Sequence, residues 1–180
     1  MKVLWGICGS FCNHQAILNL LETNENIKQL DIQFVISENC AECDTRFMES
    51  SQLIHRLESI SGKKVFTSIV QAETVGPYAD YELFVIAPCT ASTLSHLANG
   101  CYDHSVALCA KAMLRNQKPV VLAIASNMGV NGINLDMETE NAIGSKMSFF
   151  IETAQMETEL EKIFTAEECA QVKIEKDGNT

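Results

Sequence analysis

Small residues that could hold an anion follow an apolar run near the start of the chain. Gly9, Ser10 and Phe11 come directly after residues 3–8. Glycine allows a tight turn, and the first turn of a following helix presents unpaired N–H groups and a positive dipole end. Ser37, at the end of the next apolar run, could add a hydroxyl or simply form a turn. These residues are a candidate phosphate site, although a capped turn uses the same residues and the G-x-G-x-x-G fingerprint is absent.

A denser polar block follows the apolar run at residues 83–87. It consists of Pro88, Cys89, Thr90, Ala91, Ser92 and Thr93. One hydroxyl is enough to cap the helix that is predicted next, and this block offers more than one. The excess predicts that side chains and backbone N–H groups of the block face a ligand.

A third polar segment follows the apolar run at residues 120–124. It contains Asn127 and Met128 beside two glycines. A flat, polar heteroaromatic ring suits such a segment, because amides can bind its carbonyl groups while a methionine packs against its face. We expect Asn127 and Met128 to contact that ring.

The eight cysteines would suggest disulfides in a secreted chain. The N-terminus has no signal-peptide core or cleavage pattern, so we expect a cytoplasmic chain whose cysteines are reduced and mostly pack in the core. Cys89 could have a lowered thiol pKa at a helix N-terminus beside a cofactor, with packing as the alternative. Cys40 and Cys43 could form a redox couple or half of a zinc site, but there is no second pair and no metal site is predicted.

The histidines give no clear general base. His14 is expected on the surface near the first turn, His96 on a helix behind the ligand, and His104 beside Asp103 in a structural role. No catalytic residue is therefore assigned.

Apolar runs alternate with segments of helical spacing along the chain. Strands are predicted at residues 3–8, 31–36, 83–87, 120–124 and 147–151, with a short one at 65–66. Helices are predicted from about residue 14 and around 53–60, 91–98, 105–114, 133–143 and 158–169. This alternation predicts a single-domain α/β fold, a doubly wound, Rossmann-like (flavodoxin-like) parallel sheet with helices on both faces. The domain is expected to cover residues 1–172, followed by a flexible tail at 173–180.

The composition and net charge restrict the classes of partner that the chain is expected to bind. The 180 residues carry a formal net charge of −10, with 47% hydrophobic and 20% charged residues. A disordered chain is excluded, and neither nucleic-acid binding nor attachment to an anionic membrane is expected from such a charge. No window has the roughly 18 uninterrupted apolar residues of a membrane-spanning helix.

Several dispersed segments carry a family resemblance. They are the Pro88–Thr93 block, residues 97–103, Ser126-Asn127-Met128, and residues 44–47, 68–73, 76–77, 110–112, 115–116, 118–122, 131–132 and 134–135. Over roughly residues 3–152 the chain resembles flavin-containing cysteine decarboxylases and flavin prenyltransferases. The resemblance implies a Rossmann-like domain that binds FMN and assembles as a trimer or dodecamer. It places the FMN phosphate against Gly9, Ser10, Phe11 and Ser37, and the ring near Pro88, Thr90, Ser92 and Asn127.

The chain departs from this family at functional positions. Residues 69–81 contain no histidine, although the decarboxylases use one shortly before the strand at 83–87. Ser92 stands where they have asparagine, and residues 152–170 lack their substrate-clamping segment. Prenyl transfer from a diphosphate would need clustered basic residues, for which only Lys111 and Arg115 are candidates. Both activities are therefore disfavoured.

Within the family, the chain most resembles a subunit that acts with a dehydrogenase-like partner subunit in oxidising a small dicarboxylate. The resemblance therefore implies an FMN-dependent oxidoreductase subunit that also forms a homo-oligomer. The alternatives are a flavin-dependent decarboxylase acting on a cysteine-type or carboxylate substrate, and a noncatalytic subunit that only assembles the complex.

Overall fold

The computed structural model describes residues 1–77, 80–125 and 148–152. Within these residues, five parallel strands form one sheet in the order β2-β1-β3-β4-β5. The strands are β1 (Lys2–Ile7), β2 (Asp31–Ile36), β3 (Leu83–Cys89), β4 (Val120–Ile124) and β5 (Ser148–Glu152). This order is that of a flavodoxin-like sheet, and it confirms the predicted α/β class.

Helices connect the strands. They are α1 (His14–Thr23), α2 (Glu25–Lys28), α3 (Glu38–Glu42), α4 (Ser50–Ser61), α5 (Ile69–Glu73), α6 (Ala91–Ala98) and α7 (Ser105–Arg115), with a 3₁₀ turn at Phe11–Asn13 before α1. The prediction of α6 is correct at both ends. The predicted role of Gly62 in closing α4 is also correct, because Gly62 follows the last helical residue with a φ of 67°, in the left-handed region. The helices α2, α3 and α5 are not predicted from the sequence, because four or five residues are too few to show helical spacing.

The side chains of β1 alternate between two cores. Val3, Trp5 and Ile7 belong to the core formed with α1 and α4, whereas Leu4 belongs to the core formed with α6 and α7. A strand that is apolar throughout and buried on both faces is typical of a parallel sheet covered on both sides. The prediction of helices on both faces is therefore confirmed.

The predicted end of β3 at Pro88 is wrong. The strand continues to Cys89, which pairs with Ile124 after a register irregularity that begins at Ile86. Proline has no N–H to donate to a ladder, but its carbonyl can still accept, and Pro88 O receives the Cys8 N–H at 3.1 Å. The strand thus passes through the proline with its pairing locally shifted.

The short strand predicted at residues 65–66 is reduced to one bridge between Val35 and Phe66. The helices predicted around 133–143 and 158–169, the tail at 173–180 and hence the domain boundary lie outside the described residues. No helix among the described residues is long and apolar enough to cross a membrane.

His14 is a buried polar residue at the start of α1, so its predicted surface position is wrong. Its side chain packs beneath the turn that follows β1, and the residue is only 2% exposed. Nε2 lies 2.8 Å from the Cys8 carbonyl oxygen and must carry the proton of this hydrogen bond. Burial lowers the pKa of His14, and the hydrogen bond to Cys8 partly opposes this effect.

Gly6 occupies a crowded position in β1. A Cβ atom built on it would lie 3.0 Å from Phe84 Cζ and 3.1 Å from Val106 Cγ1, both buried side-chain atoms. The close contact between β1, the Phe84 ring and α7 therefore depends on the absence of a side chain at this position.

We expect Gly6→Ala to lower the free energy of unfolding by about 1–3 kcal/mol, because the added methyl group overpacks a filled core. Gly9→Ala is the matched control, since its new Cβ would come no closer than 3.7 Å to Phe11. Denaturant titrations of both variants measure the difference. Equal stability of the two variants would contradict the packing described for Gly6.

The buried His14 predicts a pH dependence. Because folding lowers its pKa below 6.5, the unfolded state binds the proton more readily. The stability that neutral His14 contributes is therefore complete above the pKa of His14 in the unfolded chain, about 6.5. It is lost as the pH falls from there towards the lower pKa of His14 in the folded protein. His14→Gln keeps an N–H donor for Cys8 O but cannot titrate, so the fall in stability between about pH 7.5 and pH 5.5 should be smaller than in the wild type. Denaturation at the two pH values measures this, and an unchanged slope would refute it.

Candidate functional site

The connections after β1 and β3 diverge. The chain leaving β1 enters α1 on one face of the sheet, and the chain leaving β3 enters α6 on the opposite face. Open α/β sheets bind their ligands in the crevice that such a divergence leaves at the carboxyl ends of the strands. A cleft of about 420 Å³ lies there. It is lined by Gly9, Phe11, Ser37, Glu38, Asn39, Thr90, Ser92, Thr93, His96, Asp103 and His104.

The turn after β1 is held by its own hydrogen bonds. Ser10 N–H donates to Cys8 O at 2.8 Å and Phe11 N–H donates to Gly9 O at 2.9 Å. The Ser10 hydroxyl accepts from Asn13 Nδ2 at 2.9 Å, which leaves its own proton available to an anion. Gly9 does not have the positive φ found at Gly62, so the turn itself does not require glycine.

The hydroxyls after β3 have different roles. Thr90 caps α6 by accepting from Thr93 N–H at 3.2 Å, and its hydroxyl donates to the Thr93 hydroxyl at 3.1 Å. Thr93 in turn donates to Cys8 Sγ at 3.2 Å. Burial raises the pKa of the Cys8 thiol to about 12, although the bond from Thr93 opposes it, so Cys8 is a neutral thiol at pH 7. Ser92 differs because it is exposed in the cleft.

The turn after β2 contributes Ser37 and Glu38. The Ser37 hydroxyl donates to Cys40 Sγ at 3.2 Å. The Glu38 carboxylate accepts from Ser105 N–H at 3.0 Å, and the Ser105 hydroxyl donates to the Ile36 carbonyl oxygen at 2.6 Å. Because Ser105 is the first residue of α7, this pair joins the end of β2 to a helix N-terminus, where a carboxylate is favourable.

Two histidines and an aspartate form one wall of the cleft. His96 Nδ1 lies 3.0 Å from Asp103 Oδ1, and the rings of His96 and His104 have centroids 5.3 Å apart. His104 Nδ1 accepts a long hydrogen bond of 3.4 Å from Ala107 N–H and so caps α7. Burial lowers the pKa of His104, while Glu38 opposes the shift and His96 adds to it.

The structure places the predicted site residues in three groups. Gly9, Phe11, Ser37, Thr90 and Ser92 line the cleft together. Ser10 and Ala91 are half-buried neighbours of that lining, whereas Pro88 and Cys89 are buried in β3. Asn127 and Met128 lie outside the described residues.

The expectation of a lowered pKa for Cys89 is wrong. The residue is completely buried within the core of α6 and α7, and burial raises its thiol pKa well above the usual value. The buried thiol of Cys8 adds to the shift. Cys89 is therefore a packing residue in this structure, which is the other role that the sequence allows.

Sequence reasoning misses one wall of the cleft. It places His96 behind the ligand and gives His104 a structural role, yet both line the cleft with Asp103 and Glu38. They come from the end of α6 and the loop before α7. The rule that ligands bind at the carboxyl ends of the strands therefore does not predict them. The close sequence spacing of two histidines and an aspartate is the available signal.

Lys111 and Arg115 lie outside the cleft at the strand ends. They line a second cleft of about 750 Å³ between α5 and α7, together with Gly76 and the exposed Val70. The described lining of the first cleft contains no lysine or arginine. An anion bound there would therefore depend on neutral donors.

Comparisons with known proteins agree with this architecture. A family model described as Flavoprotein matches residues 1–172. The B subunit of dipicolinate synthase from Bacillus subtilis (strain 168) is 35% identical over 156 residues, which are 86% of this chain and 76% of that protein. The crystal structure of the dipicolinate synthase B subunit from Bacillus halodurans C has a TM-score of 0.66 at 34% identity, covering 83% of this chain and 75% of that one.

A more distant structure shares the fold alone. Burkholderia xenovorans DmrB in complex with FMN, described as a cubic protein cage for redox transfer, has a TM-score of 0.63 at 14% identity, covering 90% of this chain and 94% of that one. The family match over nearly the whole chain, together with the identity to the Bacillus subtilis protein, shows that this chain belongs to the Flavoprotein family.

Proposed function

We propose that this chain binds FMN in the cleft at the carboxyl ends of β1, β2 and β3. The observation that carries the proposal is the strand order β2-β1-β3-β4-β5 with a polar cleft where the chain directions diverge. In flavodoxin-like sheets this point between β1 and β3 is where FMN binds. Family membership and the FMN complex of DmrB, a protein with the same fold, support this ligand.

The proposed phosphate site is the turn after β1 together with Ser37. Gly9 leaves room for a close approach, since a Cβ there would meet only the Phe11 ring at 3.7 Å. The hydroxyls of Ser10 and Ser37 can turn towards a phosphate oxygen, at the cost of the Ser37 bond to Cys40 Sγ. With no lysine or arginine in the described lining, neutral donors would hold the dianion.

The proposed ring site lies along the end of β3. Thr90 and Ser92 line the cleft there, and we retain Asn127 and Met128 as proposed ring contacts. The FMN isoalloxazine, when bound, would supply the two-electron chemistry, and the chain would supply position and hydrogen bonds. Ser92 is exposed and free to donate to a ring carbonyl.

We further propose that the chain acts as the B subunit of a dipicolinate synthase. The identity of 35% to the Bacillus subtilis protein supports this role. The reaction would take one hydride and one proton from dihydrodipicolinate to give dipicolinate, and bound FMN would supply the redox chemistry. A dehydrogenase-like A subunit is the proposed partner, and the setting is the cytoplasm of a sporulating cell. No side chain is assigned to accept the proton.

A homo-oligomer is part of the same proposal. The cleft between α5 and α7 carries Lys111, Arg115 and Val70, a residue that is 72% exposed. An exposed apolar side chain beside two cations suits a subunit contact in a chain with a net charge of −10. A trimer or dodecamer would bury this surface.

Ser92→Phe should weaken FMN binding by at least about tenfold, because the ring would fill the space in front of β3. Ser95→Phe is the matched control, since Ser95 is also exposed on α6 but does not line the cleft. Titration of FMN fluorescence with the flavin-free chain measures both affinities. Wild-type protein that fails to bind FMN, or equal effects of the two variants, would refute the proposed site.

Reconstitution tests the reaction. The chain combined with an A subunit should form dipicolinate from dihydrodipicolinate only when FMN is present, and Ser92→Phe should lose most of this activity at limiting FMN. Product formation and the mass of the complex are measured together. Activity that is unchanged by Ser92→Phe would favour a noncatalytic assembly subunit, and release of CO2 from a carboxylate without the A subunit would favour a decarboxylase.

A further inference from the structure

We propose that His96, Asp103 and His104 bind a divalent first-row transition metal ion in the wall of the cleft. One ligand atom from each of the three residues lies within 4.8 Å of the other two. Two imidazoles and one carboxylate are a ligand set that such ions prefer, and three protein ligands leave further coordination positions open.

The ring nitrogen Nδ1 of His96 lacks the hydrogen bond that its burial calls for. This atom is buried and has no hydrogen-bond partner among the described residues, although Asp103 Oδ1 is only 3.0 Å away. The two atoms are close but not aligned for a hydrogen bond, and a buried ring nitrogen in this condition requires an explanation. With metal–ligand bonds of about 2.1 Å, a separation of 3.0 Å corresponds to an angle of roughly 90° at a shared ion.

Binding of all three side chains to one ion requires a modest rearrangement. Ligand atoms on one ion cannot be more than about 4.2 Å apart, so side chains that span 4.8 Å must close slightly. The Asp103 side chain is 70% exposed and lies in the loop between α6 and α7, so solvent and not packed protein surrounds most of it. His104 would exchange its long 3.4 Å bond from Ala107 N–H for a bond to the metal.

Charge favours a cation at this place. The described lining of the cleft has the carboxylates of Glu38 and Asp103 and no lysine or arginine. An ion with open positions would also add positive charge for an anionic carboxylate substrate, a consequence that rests on the proposed function, whereas metal binding itself does not.

The test uses the flavin-free chain of 180 residues after treatment with a chelator, titrated with Zn²⁺ in a calorimeter. We expect one Zn²⁺ per chain, and affinity lowered about tenfold or more in His96→Ala and Asp103→Asn. His104→Asn should weaken binding similarly while retaining a residue that can cap α7. His55→Ala is the matched control, because His55 is exposed on α4 and outside the cluster.

Imidazole NMR signals provide a second measurement on the same samples. The chain has four histidines, at positions 14, 55, 96 and 104. Zn²⁺ should shift the signals of His96 and His104, while those of His14 and His55 stay in place. Absence of Zn²⁺ binding, unchanged affinity in His96→Ala, or an equal loss in His55→Ala would overturn the proposal. Because no flavin is present, failure of FMN binding would leave this result unaffected.

Discussion

The position of β1 in the sheet is the constraint on which the rest of the structure depends. It pairs with β2 on one edge and β3 on the other, and helices cover both of its faces. Every polar backbone group of such a strand must be satisfied by its neighbours, and Gly6 allows the Phe84 ring to pack against it. Beyond the carboxyl end of β1, the connections from β1 and β3 turn to opposite faces of the sheet, and the cleft lies between them.

The thiols and threonine hydroxyls near this cleft are poorly suited to act as nucleophiles. The thiols of Cys8 and Cys40 are buried, and desolvation raises the pKa of Cys8 to about 12 and that of Cys40 to about 11. The hydroxyls of Thr90 and Thr93 are engaged with each other and with Cys8. Such a site suits positioning of a reactive cofactor better than covalent catalysis by a side chain.

The long elements are predictable from local pattern, and the short ones are not. The strand at Asp31–Ile36 and the helix at Ala91–Ala98 follow from apolar runs and helical spacing bounded by polar residues. Pro88 misleads the prediction of β3, because its missing N–H is tolerated where the ladder shifts register. His14 is misplaced because its burial depends on a bond to Cys8 O, which a pattern of apolar residues does not reveal.

Local patterns in the sequence are enough to establish the α/β class and the part of the site at strand ends, since parallel strands bring residues such as Gly9, Ser37 and Ser92 to one edge. The presence of His96 and His104 in this cleft, in contrast, depends on how the helices pack. The bonds from the Ser105 N–H to Glu38 and from the Ser105 hydroxyl to the Ile36 carbonyl hold the start of α7 against the end of β2. Contacts of this kind join residues far apart in the chain, and their geometry depends on packing that no local spacing encodes.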